Sequence, residues 1–206
     1  MSRIKSLIYS AFVASNKKYQ KENFDEGYFS KGKSFPDEKR ARYYLNFFKP
    51  CNVLDVGCGT GNLVWGFLKT GVDAEGIDVS EHAINRAHPE VRPSLKLGDI
   101  LNLDYPDNKF DLVTCSDVLE HIPQAECEKV IQDLYKITGK WLALNICLWT
   151  EKNARKDPTH INLHSKRWWT KKIERLGYRT LKTPDGFPSK RNAFVIKKDP
   201  LNGSVK

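Results

Sequence analysis

The 206-residue chain has no apolar run near the roughly 20 residues that a bilayer-spanning helix requires. Residues 4–14 come nearest, and Ser6, Tyr9 and Ser10 interrupt them. Ile4, Leu7, Ile8, Ala11 and Phe12 fall at helical spacing, so this stretch reads as an amphipathic helix packed on a domain and not as a signal peptide. Cysteine is sparse: five residues, Cys51, Cys58, Cys115, Cys127 and Cys147, with no C-x-x-C pair. That pattern indicates neither a disulfide framework nor the usual zinc spacings, and a reducing cytoplasm is the expected compartment. Internal repeats and low-complexity tracts are also missing.

What is present fits one globular domain, since 40% hydrophobic residues can build a core in a chain of this length. Lysine and arginine outnumber acidic residues by 34 to 25, a net charge of +9. The excess lies mainly in 17–49 and 152–198. It would attract nucleic acid, an anionic membrane or a phosphorylated substrate, or simply solvate the surface.

The most informative segment is Val53-Leu-Asp-Val-Gly57-Cys-Gly59-Thr-Gly61-Asn62. A short apolar run gives way to three alternate glycines, then to the helix-compatible Leu63–Leu68. Strand, glycine turn and helix open a doubly wound nucleotide-binding domain. The dinucleotide fingerprint G-x-G-x-x-G is not met, because Asn62 occupies its third glycine position. Further strands are predicted near 73–78, 94–97, 110–116 and 141–147, forming five strand–helix units. Two closing strands are predicted near 179–183 and 192–198. Helices are predicted over 36–48, opened by Pro36, and over 165–176, stopped at Gly177. The expected fold is a single α/β Rossmann-like doubly wound sheet, mostly parallel with an antiparallel final strand, plus N-terminal helices. Residues 1–32 read as an N-terminal helix and lid segment, 33–199 as the domain and 200–206 as a flexible tail.

The D-x-G-C-G-T-G run resembles the first motif of class I S-adenosylmethionine (SAM)-dependent methyltransferases. Leu119-Glu120-His121-Ile122 resembles a signature of the small-molecule members of that class. The resemblance implies SAM as cofactor. It places Gly57, Gly59 and Gly61 at the methionine carboxylate and Asp55 at the methionine amine. It places Asp78 at the ribose hydroxyls, Asp99 and Ile100 at the adenine, and Ser116, with Asp117, along the pocket wall. Each aspartate also has a plainer role as turn former or helix cap. Their order at successive strand ends is what favours the cofactor.

The substrate side is expected in the loop 148–165, because unstructured loops of that length are usually functional. Its Asp157-Pro-Thr-His160-Ile-Asn162 segment resembles methyltransferases acting on sugars, polysaccharide ends and natural products. His160 is the first candidate base, Asp157 its orienting partner, and His121 and His164 are weaker candidates. Aromatics Tyr19, Tyr28 or Phe29 are expected to form part of a lid. A metal site from His160, His164 and Asp157 is disfavoured, because these histidines flank a helix start and do not share a helix face, so no metal ligand set is expected. Trp168 and Trp169 are assigned to packing of the last helix.

The expected activity is O-methylation of a small molecule, sugar or glycan. RNA or protein methylation is the alternative; nucleic acid is not favoured, as no N/D-P-P-[YFW] motif follows the fourth strand. An inactive SAM-binding regulator is a second alternative. No oligomeric state can be read.

Overall fold

The computed structural model describes Phe24, residues 34–152 and residues 154–199. The predicted N-terminal helix, the tail 200–206 and the lid aromatics Tyr19, Tyr28 and Phe29 lie outside the described residues.

Seven strands form one sheet: β1 Asn52–Val56, β2 Asp73–Asp78, β3 Leu95–Leu97, β4 Phe110–Ser116, β5 Thr138–Asn145, β6 Thr180–Leu181 and β7 Ala193–Lys197. Their spatial order is β3-β2-β1-β4-β5-β7-β6. β1 to β5 run parallel, while β7 pairs antiparallel with both β5 and β6. The order reverses between β1 and β4, the place where an open α/β sheet leaves a crevice at its strand ends.

Among the described residues five α-helices cover the faces: α1 Glu38–Phe48, α2 Asn62–Lys69, α3 Glu81–Arg86, α4 Cys127–Ile137 and α5 Lys166–Arg175. α1 starts two residues after Pro36, because Asp37 takes the N-cap and its side chain accepts from Arg40 N–H. Ser165 caps α5 by accepting from Trp168 N–H. The expected alternation fails at the third crossover, where only the short 3₁₀ turn Ile100–Asn102 stands between β3 and β4. Pro106 and the turn formers Asp104, Asp107 and Asn108 leave no room there for a helical run.

Successive strand residues point to opposite faces. Along β1, Val53 joins Leu63, Phe67, Tyr44 and Phe48 beneath α1 and α2. Leu54 joins Leu134, Ile131, Trp169 and Ile173 beneath α4 and α5. Trp169 is fully buried, so it is a core residue as expected. The half-buried Trp168 stacks on His164, ring centroids 3.6 Å apart. α1 approaches α2 so closely that a Cβ on Gly66 would lie 2.4 Å from the Asp37 carbonyl oxygen. That contact fixes α1, and Arg40 on it, against the glycine turn.

Candidate functional site

β1 leads into Gly57, whose φ of +76° favours glycine. A Cβ there would meet Val118 Cγ2 at 2.2 Å. The loop after β4 can therefore close over the turn only because Gly57 lacks a side chain. The turn is pinned to β2, since Gly57 N–H and Cys58 N–H both donate to the Ile77 carbonyl, at 2.8 and 3.1 Å. Gly61, φ +75°, is the N-cap of α2.

A cavity of about 220 Å³ runs across the carboxyl ends of β1 to β4. Of the predicted cofactor residues, Gly57, Gly59, Asp78, Asp99 and Ile100 line it. Asp55, Gly61 and Ser116 do not. Asp55 is buried beneath the turn, its Oδ1 accepting from Thr114 Oγ1 at 2.6 Å. Gly61 belongs to the α2 cap, and Ser116 ends β4 paired with Asn145. The wall past β4 is made by Asp117 and Val118, with Ile122 and Phe24 closing the apolar side.

The cavity is electrostatically one-sided. Asp78, Asp99 and Asp117 line it, and no lysine or arginine does among the described residues. Asp78 Oδ2 accepts from Gly59 N–H at 2.7 Å and Oδ1 from Ser80 N–H at 2.8 Å. Burial raises the Asp78 pKa, partly offset by these N–H groups. Local desolvation also raises Asp117, with the Arg40 charge pulling it back. Asp55 is pushed up to about 6, by burial first, against Arg40 and the Thr114 hydrogen bond. With Asp78 and Asp55 buried, Asp99 half-buried and Asp117 exposed, this carboxylate set favours a cationic ligand and disfavours an anionic one.

The other end of the cavity meets the loop after β5. His121 lines the cavity, and its Nδ1 lies 3.1 Å from the Thr159 carbonyl oxygen and 2.9 Å from Thr159 Oγ1. The Thr159 hydroxyl donates to Asp157 Oδ1. His160 does not line the cavity; its Nδ1 lies 2.7 Å from the Ala154 carbonyl oxygen and its Nε2 3.7 Å from Asp157 Oδ2. The two imidazoles meet edge to face with centroids 4.7 Å apart. Burial first, then His160, pushes His121 down to about 4, so its ring is neutral at pH 7. Asn162, also buried, donates from Nδ2 to the Leu119 carbonyl at 3.2 Å, and its N–H donates to the Glu120 carbonyl at 2.9 Å. The D-P-T-H-I-N segment thus docks on the L-E-H-I segment almost residue for residue. His164 stands apart, stacked on Trp168.

Three contributors escaped the sequence reading. Phe24 packs edge-on against His121 at 5.1 Å, and its carbonyl accepts from Ser80 Oγ at 2.6 Å. Arg40 acts on Asp55 and Asp117 from α1. Glu120, fully buried, accepts from Cys147 N–H at 3.1 Å, and burial pushes it up to about 8. A Glu inside an otherwise apolar motif is a signal that could have been read.

Comparison with known proteins agrees with this geometry. A family profile described as a methyltransferase domain matches residues 53–140. Residues 53–140 thus resemble a methyltransferase domain, and the surrounding fold is one that SAM-dependent methyltransferases also adopt. It is 31% identical over 113 residues to norajmaline N-methyltransferase of Rauvolfia serpentina, covering 51% of this chain and 38% of that protein. It is 38% identical over 76 residues to a ubiquinone biosynthesis O-methyltransferase of Methylococcus capsulatus, covering 34% and 32%. The fold resembles a SAM-dependent methyltransferase from Archaeoglobus fulgidus, with TM-score 0.63 and 20% identity over 78% of this chain and 92% of that one. The chain spans about half the length, or less, of the curated relatives it matches. SAM is the methyl donor of this family. Among the described residues no helix is long and apolar enough to cross a membrane.

Proposed function

We propose that this chain methylates a hydroxyl oxygen of a small molecule, sugar or glycan in the cytoplasm, using SAM. The observation that carries this is the cavity at the sheet's switch point, lined by three aspartates and no cation among the described residues. SAM is positive at both its sulfonium and its amine, so this lining suits it, whereas the pyrophosphate of a dinucleotide would be repelled.

The chain's own groups divide the work. Asp99 and Ile100 would hold the adenine, and Asp78 the ribose hydroxyls. Each Asp78 oxygen already accepts one backbone N–H, and a carboxylate oxygen keeps a second lone pair. The Gly57–Gly61 turn and the α2 N-terminus would receive the methionine carboxylate. Asp117 and the buried Asp55 would face its amine. When bound, SAM supplies an electrophilic methyl whose C–S bond breaks as the acceptor's O–C bond forms, leaving S-adenosylhomocysteine. The protein's main contribution is alignment, for which roughly 7–11 kcal/mol is available. His121, backed by His160, Thr159 and Asp157, is where the acceptor proton would be handled. That arrangement favours oxygen, because a neutral amine needs no such help.

Calorimetric titration should show one equivalent of SAM bound, and S-adenosylhomocysteine should form with hydroxyl acceptors and not with matched amines. Stabilisation by NADH and not by SAM would sink the reading. Stoichiometric SAM binding with no turnover on any acceptor points to a regulator instead.

A second reading, methylation of RNA, is favoured by a separate basic groove lined by Lys166, Lys182, Lys190 and Arg191. It requires RNA affinity that falls steeply with salt.

A further inference from the structure

We propose that Glu120, His121 and His160 form a divalent transition-metal site beside the cavity. One donor atom from each lies within 4.8 Å of the others. No metal site is expected from the sequence, and the set disfavoured there, His160, His164 and Asp157, shares only His160 with this one.

Hydrogen bonding prepares both imidazoles. A carbonyl oxygen only accepts, so Nδ1 carries the proton in His121, toward Thr159, and in His160, toward Ala154. Each Nε2 is then the basic nitrogen. Metal-binding histidines typically donate their other ring N–H to a carbonyl or carboxylate in this way. His160 Nε2 also faces Asp157 Oδ2 at 3.7 Å, two acceptors opposed across a gap that a cation would relieve.

Glu120 supplies an independent observation. It has no exposed surface, and while Oε1 accepts from Cys147 N–H, Oε2 has no hydrogen-bond partner among the described residues. A carboxyl group buried with one oxygen unsatisfied is costly unless a cation meets it. Ligands at about 2.0–2.2 Å from a tetrahedral zinc ion are separated by about 3.3–3.6 Å. The three donors, spread over as much as 4.8 Å, would draw in by about 1 Å on binding, through rotation of the side chains and adjustment of the loop after β5.

Two nitrogens and one carboxylate suit zinc or a neighbouring first-row ion better than magnesium, which prefers oxygen. Three protein ligands leave coordination positions open, and His121 puts them on the cavity wall. With its Nε2 on the metal, His121 would no longer take the acceptor proton itself; the metal would instead acidify and orient a bound hydroxyl, whose proton leaves to solvent. This role rests on the proposed O-methylation; the binding of the metal does not.

The test uses tag-free, chelator-treated protein, titrated separately with Zn²⁺, Co²⁺ and Mg²⁺. Bound metal is read by mass spectrometry and Co²⁺ also by its visible absorption. SAM binding is measured calorimetrically on every sample. We expect one equivalent of zinc or cobalt, with magnesium much weaker. Glu120→Gln and His160→Gln should each weaken zinc by at least about tenfold. Glu120→Gln is isosteric and His160 is only partly buried, so a SAM affinity equal to wild type certifies the fold. Substoichiometric zinc in the wild type, or equal zinc affinity in both variants, overturns the site while leaving the SAM reading intact. Zinc binding with no SAM binding overturns the function and leaves the site standing.

Discussion

The two ends of the cavity hold their polar groups by different means. On the β3–β2–β1 side, carboxylates are fixed by nearby backbone: Asp78 by Gly59 and Ser80 N–H, Asp99 by Leu101 N–H. On the β4–β5 side, side chains fix one another across the chain: His121 through Thr159 and Asp157, His160 against His121, Asn162 on Leu119. The first arrangement is rigid whenever the turn forms. The second exists only when the loop after β5 docks on the segment after β4. Binding of the cofactor should therefore depend on the first end and turnover on the second, and substitutions can separate them.

The largest effect is expected at the second end. His121→Ala should lower turnover on a hydroxyl acceptor by about 10²–10⁴-fold, the usual worth of a positioned proton-handling group. SAM affinity, measured by calorimetry, should change by less than about threefold. An equal loss in SAM binding would mean that the two ends are not separable. His160→Ala should fall in the same direction with a smaller loss, since His160 reaches the cavity only through His121.

Next comes the first end. Asp78→Ala removes the acceptor for two hydroxyl donors and frees the Gly59 and Ser80 N–H groups. At about 1.5–3 kcal/mol for a hydrogen bond to a charged group, SAM affinity should fall on the order of 100-fold. A loss under about threefold would show that Asp78 only braces the turn.

The same contrast explains what could be read from the sequence. Gly57, Asp78 and Asp99 were legible because local spacing and strand ends suffice to bring them together. The seven strands were legible in position, and the buried Trp169 in role, because apolar runs and turn residues mark them. The third crossover was misread, since a short 3₁₀ turn carries no periodicity. At the other end, nothing local says that 157–162 must pair with 119–121. The partner of His121 was therefore invisible, as was Glu120, whose importance comes only from being buried. Arg40 was missed because its neighbours are set by helix packing at Gly66 and not by its own segment.

A third, smaller effect concerns Asp55, which is fixed to neither end but lies beneath the turn. Its folded pKa of about 6 stands above the usual carboxylate value of 3.8. Between those values the native state binds the proton that the unfolded state has lost, so the protein loses stability as pH rises through this window. The loss amounts to at most ~3 kcal/mol at neutral pH. Asp55→Asn keeps an acceptor for Thr114 and removes the charge. The ligand-free variant should melt higher than wild type at pH 7, while its SAM affinity falls if the methionine amine needs that carboxylate. A variant no more stable than wild type at pH 7 would mean that Arg40 already balances the charge.

The smallest effect is expected away from both ends, in the groove beside β6 and β7. Lys166 is exposed there, and local desolvation first, then Lys190, lowers its pKa, while Lys190 is paired with Asp185. Lys182 and Arg191 are exposed, and exposed charges contribute little to stability. Reversing both, Lys182→Glu with Arg191→Glu, should change the unfolding free energy by less than about 1 kcal/mol. SAM affinity should not move, since the groove and the cavity share no residue. Any RNA affinity of the wild type should be weak, fall with salt, and drop further in the double variant, because phosphate contacts are lost with the cations. Tight, structure-selective RNA binding at physiological salt, abolished by the reversal, would make this groove the acceptor surface. The comparison would then be between three regions, with the basic groove and not the histidine end choosing the substrate.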